Sequence, residues 1–548
     1  MPNHSTENPA DGDSGVSLWL WSLLGVFAAC VPCALLVTEK SGSALPLVPL
    51  TLAILAALAG YVVAVRVVVA EKFAQRSRRS RILVWLAAAG LFLGSVAVLF
   101  AFRPPPPPLP RMSGTRDVAV VGFTGHDEHQ DKRVLTDVAV DFAHAMTGRI
   151  PAATSVRSYA DKVSLPLAEL QGSHHSGLER KTARFADETN AEIVVGGLIS
   201  SDPASQTTLQ PAVYVRADQI PDAPELADWF RGKPLPVSGG LASKEGRDQL
   251  RSDLTRQIST LAEFVDALDT WRNGSPAKAT RILQHLLDPK QQVGTGGFVP
   301  PELIRLFHGH AAEVQAAGET GTGRQKLLEA ARADYLAISK DSPAGRRAAL
   351  SLQFNAYLRA LGPTPNCKPG TVRAGELAQI AQALRALAKD PEFTELGRLK
   401  ATVNLAQVEN CRITAQLVRD DGRVERAVAV VSEAPDLTGS DELRALAESI
   451  AALHAAGKGD LAAAIRHIRA AIAHRPNLVE QAIWNGFLAR WSLARCDLET
   501  GRTAQQEALS LLDAAEQAGR ASSKLRRHYE QDFAAKLRKA KKHCGRAR

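Results

Sequence analysis

Two histidine groups are the first places where chemistry would be sought in this sequence. His126-Asp-Glu-His129 and His174-His175 offer ligand types that bind transition metals. Neither has a second ligand pair at a diagnostic spacing, so both read as polar loop residues. Gly318-Glu-Thr-Gly-Thr-Gly323 has the glycine spacing of a phosphate-cradling loop. Arg324-Gln325 stands where that chemistry needs lysine and a hydroxyl, and a helical pattern precedes it where a strand is required. The stretch therefore reads as an inter-helix turn. Gly196-Gly197 is followed by a strand signal and not by a helix, which excludes a dinucleotide cradle. No Ser/His/Asp, Cys/His or metal set has useful spacing, so the expectation is a protein that is not an enzyme, with no cofactor and no metal. Among the cysteines, Cys367 and Cys411 form the candidate disulfide, with Cys496 as a competing partner. Cys30 and Cys33 lie in an apolar run and read as small membrane-helix residues.

The elements that would position any site are mostly helices. In 441–477 two amphipathic stretches flank Gly459-Asp460, and Pro476 follows the second. Small Ala452 and Ala464 allow close helix approach, and Ile468 and Ala471 continue the apolar stripe. Gly459, Ala464, Ile468, Ala471 and Pro476 fall at the positions of a tetratricopeptide repeat (TPR), which this unit resembles. One hairpin cannot bury its apolar face alone, so stacked neighbours are expected. Helical pairs are predicted at 250–271 with 277–287, 301–317 with 324–338, 346–361 with 375–387, 396–417 with 424–431, and 478–500 with 503–518. The region 245–520 is thus expected to be a TPR-like all-α solenoid with degenerate repeats. First helices usually line a TPR groove, which makes Arg444, Glu448, Asn485 and Arg490 the candidate groove residues.

Ahead of it, Arg116-Asp-Val-Ala-Val-Val-Gly-Phe123 reads as a strand, 133–146 and 176–189 as helices, and 191–200 and 209–216 as two antiparallel strands, with Gly196-Gly197 as a kink or bulge. The segments VAVVGF, ARFADETNAEIVVGGLIS and QPAVYVR in this order resemble the TolB amino-terminal-like domain that precedes TPRs in bacterial proteins. The resemblance implies a small α/β domain over 115–240 with an interaction role and no catalytic set. The segment 151–175 carries no readable signal.

Residues 1–16 form a polar tail. The runs 18–37, 45–70 and 82–102 each approach bilayer-spanning length, so 17–102 is expected to hold three transmembrane helices as an α-helical membrane anchor. Lys72, Arg76, Arg78, Arg79 and Arg81 between the second and third runs place that loop and the amino terminus in the cytoplasm, with the later domains extracytoplasmic and the protein in a cell membrane. Pro104–Pro108 belongs to a stiff proline-rich spacer, 103–114. The net charge is +9, and the basic helix and tail 521–548 hold most of it. That tail reads as a capping helix on the last repeat, with its basic end as a contact for an anionic surface. The expected function is a membrane-anchored protein–protein interaction scaffold. Its partners are an unknown protein or peptide bound through the repeats and the lipid bilayer, with no nucleic acid. The competing expectation is an envelope sensor or assembly component whose α/β domain binds a small ligand or glycan.

Overall fold

The chain divides into two units, 1–107 and 108–548. The computed structural model describes the second, apart from 115, 126–131, 148–153, 172–175, 201–206, 218–222, 238–242, 273–274, 289–297, 343, 363–365, 475–476, 518–522 and 545–548. The two histidine groups and the three apolar runs lie outside the described residues.

The amino-terminal part of this unit is one mixed sheet with two helices. Its elements are β1 (Arg116–Val120), β2 (Thr124–Gly125), α1 (Lys132–Thr147), β3 (Thr154–Ser158), α2 (Ser176–Thr189), β4 (Ile193–Ser200), β5 (Thr208–Val215), β6 (Asp228–Arg231) and β7 (Leu235–Pro236). The order is β3-β1-β4-β5-β6; β3, β1 and β4 run parallel, while β5 is antiparallel to β4 and β6. β4 is almost entirely buried on both faces, which is why it reads as a continuous apolar run. Gly196 and Gly197 do not bulge it: Ile193–Ser200 pairs residue for residue with β5. They are small because a Cβ at Gly196 would lie 2.7 Å from Leu167 Cδ1, and one at Gly197 2.7 Å from Leu209 Cδ1.

Thirteen further helices follow among the described residues, and each packs on the next in chain order. They are α3 (Lys244–Arg272), α4 (Pro276–Leu287), α5 (Pro301–Ala317), α6 (Gly321–Leu336), α7 (Gly345–Ala360), α8 (Ala374–Leu387), α9 (Glu395–Thr414), α10 (Arg423–Ser432), α11 (Ser440–Gly457), α12 (Leu461–Ala473), α13 (Leu478–Ala494), α14 (Leu498–Gln517) and α15 (Ser523–Cys544). The result is a helical, solenoid-like body. The α11–α12 turn shows why local sequence makes a hairpin. Gly459 takes φ +81°, and the Asp460 side chain accepts from the Ala463 N–H to cap α12. Ala445, Ala452 and Ala464 are fully buried where the helices meet, beside Ile468 and Trp484. Glu409, almost fully buried, is held by Arg385, Arg412 and Arg423, which ties α8, α9 and α10 together.

The expected fold class is corrected in one respect. Among the described residues no helix is long and apolar enough to cross a membrane. Charged residues interrupt the apolar stretches of these helices, and the longest, α3, carries them along its whole length. The class the structure supports is a small α/β region and an all-helical carboxy-terminal body. Two helix ends also differ from expectation. α9 stops at Thr414 because Gln416 is left-handed, and the α13–α14 break falls at 495–497, where Cys496 has φ +62°.

The two parts share one core, in which Val195, Val213 and Phe230 of the sheet join Leu261, Phe307 and Val403 of the helices. A polar knot lies within the helices. Glu313 on α5 accepts from Asn355 Nδ2 at 2.9 Å, and His310 Nδ1 is 3.8 Å from its other oxygen. Burial, reinforced by Glu225, pushes the Glu313 carboxyl up to about 8 against the opposing pull of Asn355, Tyr335 and Lys400; burial and Lys400 push His310 down to about 3. Between pH 4.5 and about 8 the folded chain therefore keeps a proton on Glu313 that the unfolded chain releases. The Glu313 contribution to stability falls with rising pH across that window, by at most roughly 1.4 kcal/mol per pH unit. His310, protonated only in the unfolded chain between about 3 and 6.5, contributes the opposite slope, so the net fall is expected between about 6.5 and 8. Glu313→Gln, which mimics the protonated acid, should flatten this part of a urea-denaturation pH profile; an unchanged slope would place the effect elsewhere.

Candidate functional site: the cleft between the α/β part and the helices

A cleft of about 700 Å³ lies between α2 and the edge of the sheet on one side and the amino-terminal ends of α7, α9 and α11 on the other. Helix ends gather here because consecutive hairpins place every second turn on one edge of the body. α9 presents the Thr394 side chain as its cap, accepting from Gly397 N–H. Before α11, Gly439 takes φ +89°, and a Cβ there would meet Ala217 at 2.8 Å and Pro224 at 3.0 Å. That glycine lets the turn approach the α/β part closely. Thr438 Oγ1 donates to Asp187 on α2 at 3.2 Å, a bond across the cleft.

Arg347, on α7, closes its floor. Its guanidinium enters the α/β part and donates to Asp228 Oδ2 at 2.7 Å, to the Glu225 carbonyl at 2.9 Å and to the Ala227 carbonyl at 3.3 Å. It also lies 5.5 Å from the Phe230 ring centre, and both charged side chains are at most 4% exposed. This satisfies the geometry that a buried ion pair needs. Glu179 on α2 lines the same cleft. Burial first, then the Asp228 charge, raises its carboxyl to about 8, while Arg347 opposes the shift. In its protonated form it is able to donate a hydrogen bond. Arg180, Arg184 and Arg231 line the cleft around it, while Arg346 is engaged with Asp390 at 2.9 Å and with Glu392. The cleft thus offers a carboxyl of raised pKa, guanidinium groups, carboxylates and a hydroxyl bonded to one of them.

The sequence-derived groove residues occupy two separate helices. Arg444 on α11 pins the preceding connection, bonding Asp436 at 3.0 Å and the Ala434 carbonyl at 2.8 Å. Glu448 lies 2.8 Å from His467 Nδ1. Asn485 on α13 is buried and donates to the Gln481 carbonyl at 2.9 Å. Arg490 lies 3.6 Å from Asp532 on α15 and stacks over Phe487. Each has an intramolecular partner, and none lines the cleft. Cys367 is bonded to Cys411, with Cα atoms 5.1 Å apart; Cys496 is bonded to Cys544, 5.6 Å apart. In the glycine-rich stretch, 318–320 is the turn into α6 and 321–323 its first residues. One group of His, Asp and Glu among the described residues could hold a metal, namely Asp420, Glu425 and His454. Sequence reasoning missed the cleft entirely; its signals, Arg347 and Glu179, are ordinary helix-surface residues until the two parts are packed.

No protein-family model matches the chain, and a comparison with curated proteins finds no match.

Breaking the buried pair should leave an uncompensated charge. Arg347→Met is expected to cost about 3–5 kcal/mol, and adding Asp228→Asn should recover much of that loss. Calorimetry of the two single variants and the double variant checks the coupling; additive losses would mean the pair does not hold the parts together.

Proposed function

We propose that this chain is a non-catalytic binding scaffold whose repeat-like helices hold the α/β part so that the cleft between them receives an extended segment of a partner protein. The observation that carries this reading is the cleft itself, bordered by several helix ends and by Glu179, with hydrogen-bonding groups of both charge signs. The resemblance of 441–477 to TPRs and of 115–240 to the TolB amino-terminal-like domain supports it, since both imply interaction modules. A volume of about 700 Å³ also suits a compact polar ligand or a glycan, the second reading.

Arg180 lines the cleft and is exposed, so Arg180→Trp places a bulky ring in the space from an α2 side chain outside the core. The variant should keep the parent melting temperature and lose the partner in a crosslinking pulldown. Native mass spectrometry of the same two proteins tests the second reading, in which a small bound molecule disappears instead. A partner retained by the variant would remove the cleft from the binding surface.

We also propose that the described unit works in an oxidising compartment. The two disulfides, each closing more than 40 residues, support this. Thiol titration under denaturing, non-reducing conditions should find none of Cys367, Cys411, Cys496 and Cys544 free in protein from its native source. By chain entropy, reduction should cost about 4 kcal/mol for one such loop.

A further inference from the structure

At the far end of α11 from the cleft, three side chains from three elements converge. Asp420 lies in the α9–α10 connection, Glu425 in the first turn of α10, and His454 in the last turn of α11. His454 Nε2 is 3.2 Å from Asp420 Oδ2 and 3.3 Å from Glu425 Oε1, and all three ligand atoms lie within 4.8 Å of one another. Donor atoms about 3.3 Å apart are what tetrahedral bonds of about 2.0–2.1 Å produce. His454 is itself buried, at 4% side-chain exposure, while Asp420 and Glu425 stand at the rim and leave a path from solvent. Asp420 is fixed from its other oxygen, which accepts the Gly422 N–H at 3.1 Å.

The orientation of the histidine makes this more than a charge cluster. Its Nδ1 lies 3.0 Å from Asn410 Oδ1, outside the cluster, and its Nε2 faces the two carboxylates. A ring nitrogen donating to an outer carbonyl while the other faces carboxylates is the orientation that metal-ligating histidines adopt. Lys458, one turn beyond His454, already brings positive charge to this point, with Nζ 2.8 Å from Asp420 and 3.4 Å from Glu425. The flexible four-carbon stem of a half-exposed lysine can swing into solvent.

We propose that His454, Asp420 and Glu425 form a site for one divalent transition ion, zinc by donor set, with Asn410 orienting the imidazole and Lys458 as the built-in competitor that occupies the carboxylates when the ion is absent. The site departs from the expectation of no metal because its ligands are separated by 5 and 29 residues and meet only when α11 packs against α10 and the α9–α10 connection. Bound there, the ion would tie three elements at the middle of the helical body.

The test uses the purified full chain, stripped with a chelator and kept non-reducing. Zinc is titrated calorimetrically into the parent, His454→Gln, Lys458→Met and Asn410→Leu. The parent should bind one equivalent that His454→Gln loses. Lys458→Met should bind it more tightly, and Asn410→Leu about 10–100-fold more weakly. Zinc should raise the melting temperature of the parent and of Lys458→Met but not of His454→Gln. Cobalt(II) should give a visible d–d spectrum absent from His454→Gln. If His454→Gln does not fold, Asp420→Asn at the rim replaces it. Equal zinc stoichiometry in the parent and the ligand variants, or no gain in Lys458→Met, overturns the site and leaves a hydrogen-bonded cluster of His454, Asp420, Glu425 and Lys458.

Discussion

The structure depends on one guanidinium crossing from one part of the molecule into the other. Arg347 leaves α7 and terminates on Asp228 and two carbonyls of the α/β part. A charge this deeply buried is tolerated only when every donor has an acceptor and the geometry is fixed. That requirement fixes the approach of α7 to β6, and with it the width of the cleft. Burial in the cleft, with the Asp228 charge beside it, then raises the Glu179 carboxyl. The same contact that joins the two parts therefore sets the chemistry of the space between them.

Around this joint the molecule combines two kinds of cohesion. The apolar core runs from the sheet into the first helices without interruption, so the α/β part and the start of the helical body belong to one unit. Farther along the chain cohesion becomes local: each helix packs on the next, and the final helix adds its own clamp. Phe533 of α15 is buried, its carbonyl accepts from Gln505 on α14, and Cys544 closes the end onto Cys496.

Much of this was legible in the residues. The α11–α12 hairpin was readable from apolar spacing, Gly459 and Asp460, because a turn and a cap are decided by residues within one or two turns of each other. β1, β4 and β5 stood out because buried strands concentrate branched apolar residues. β3, β6 and β7 were missed. They are short, and β3 is only half-buried, so their strand character comes from the neighbour they pair with. Gly196 and Gly197 were noticed for a bulge that does not form; the tight packing of Leu167 and Leu209 against them is a tertiary fact.

The sequence by itself determined the two kinds of architecture in the described unit, their order, and the strongest helical hairpin, since periodicity, turns and caps act over a few residues. Only the tertiary structure decided which distant groups meet. Cys496 pairs with Cys544 because α15 folds back on α13 and α14, and Arg347 finds Asp228 across 119 residues. His454 reaches Asp420 and Glu425 for the same reason. The energy of such contacts depends on desolvation and geometry that exist only after the helices have packed, and no local pattern along the chain encodes them.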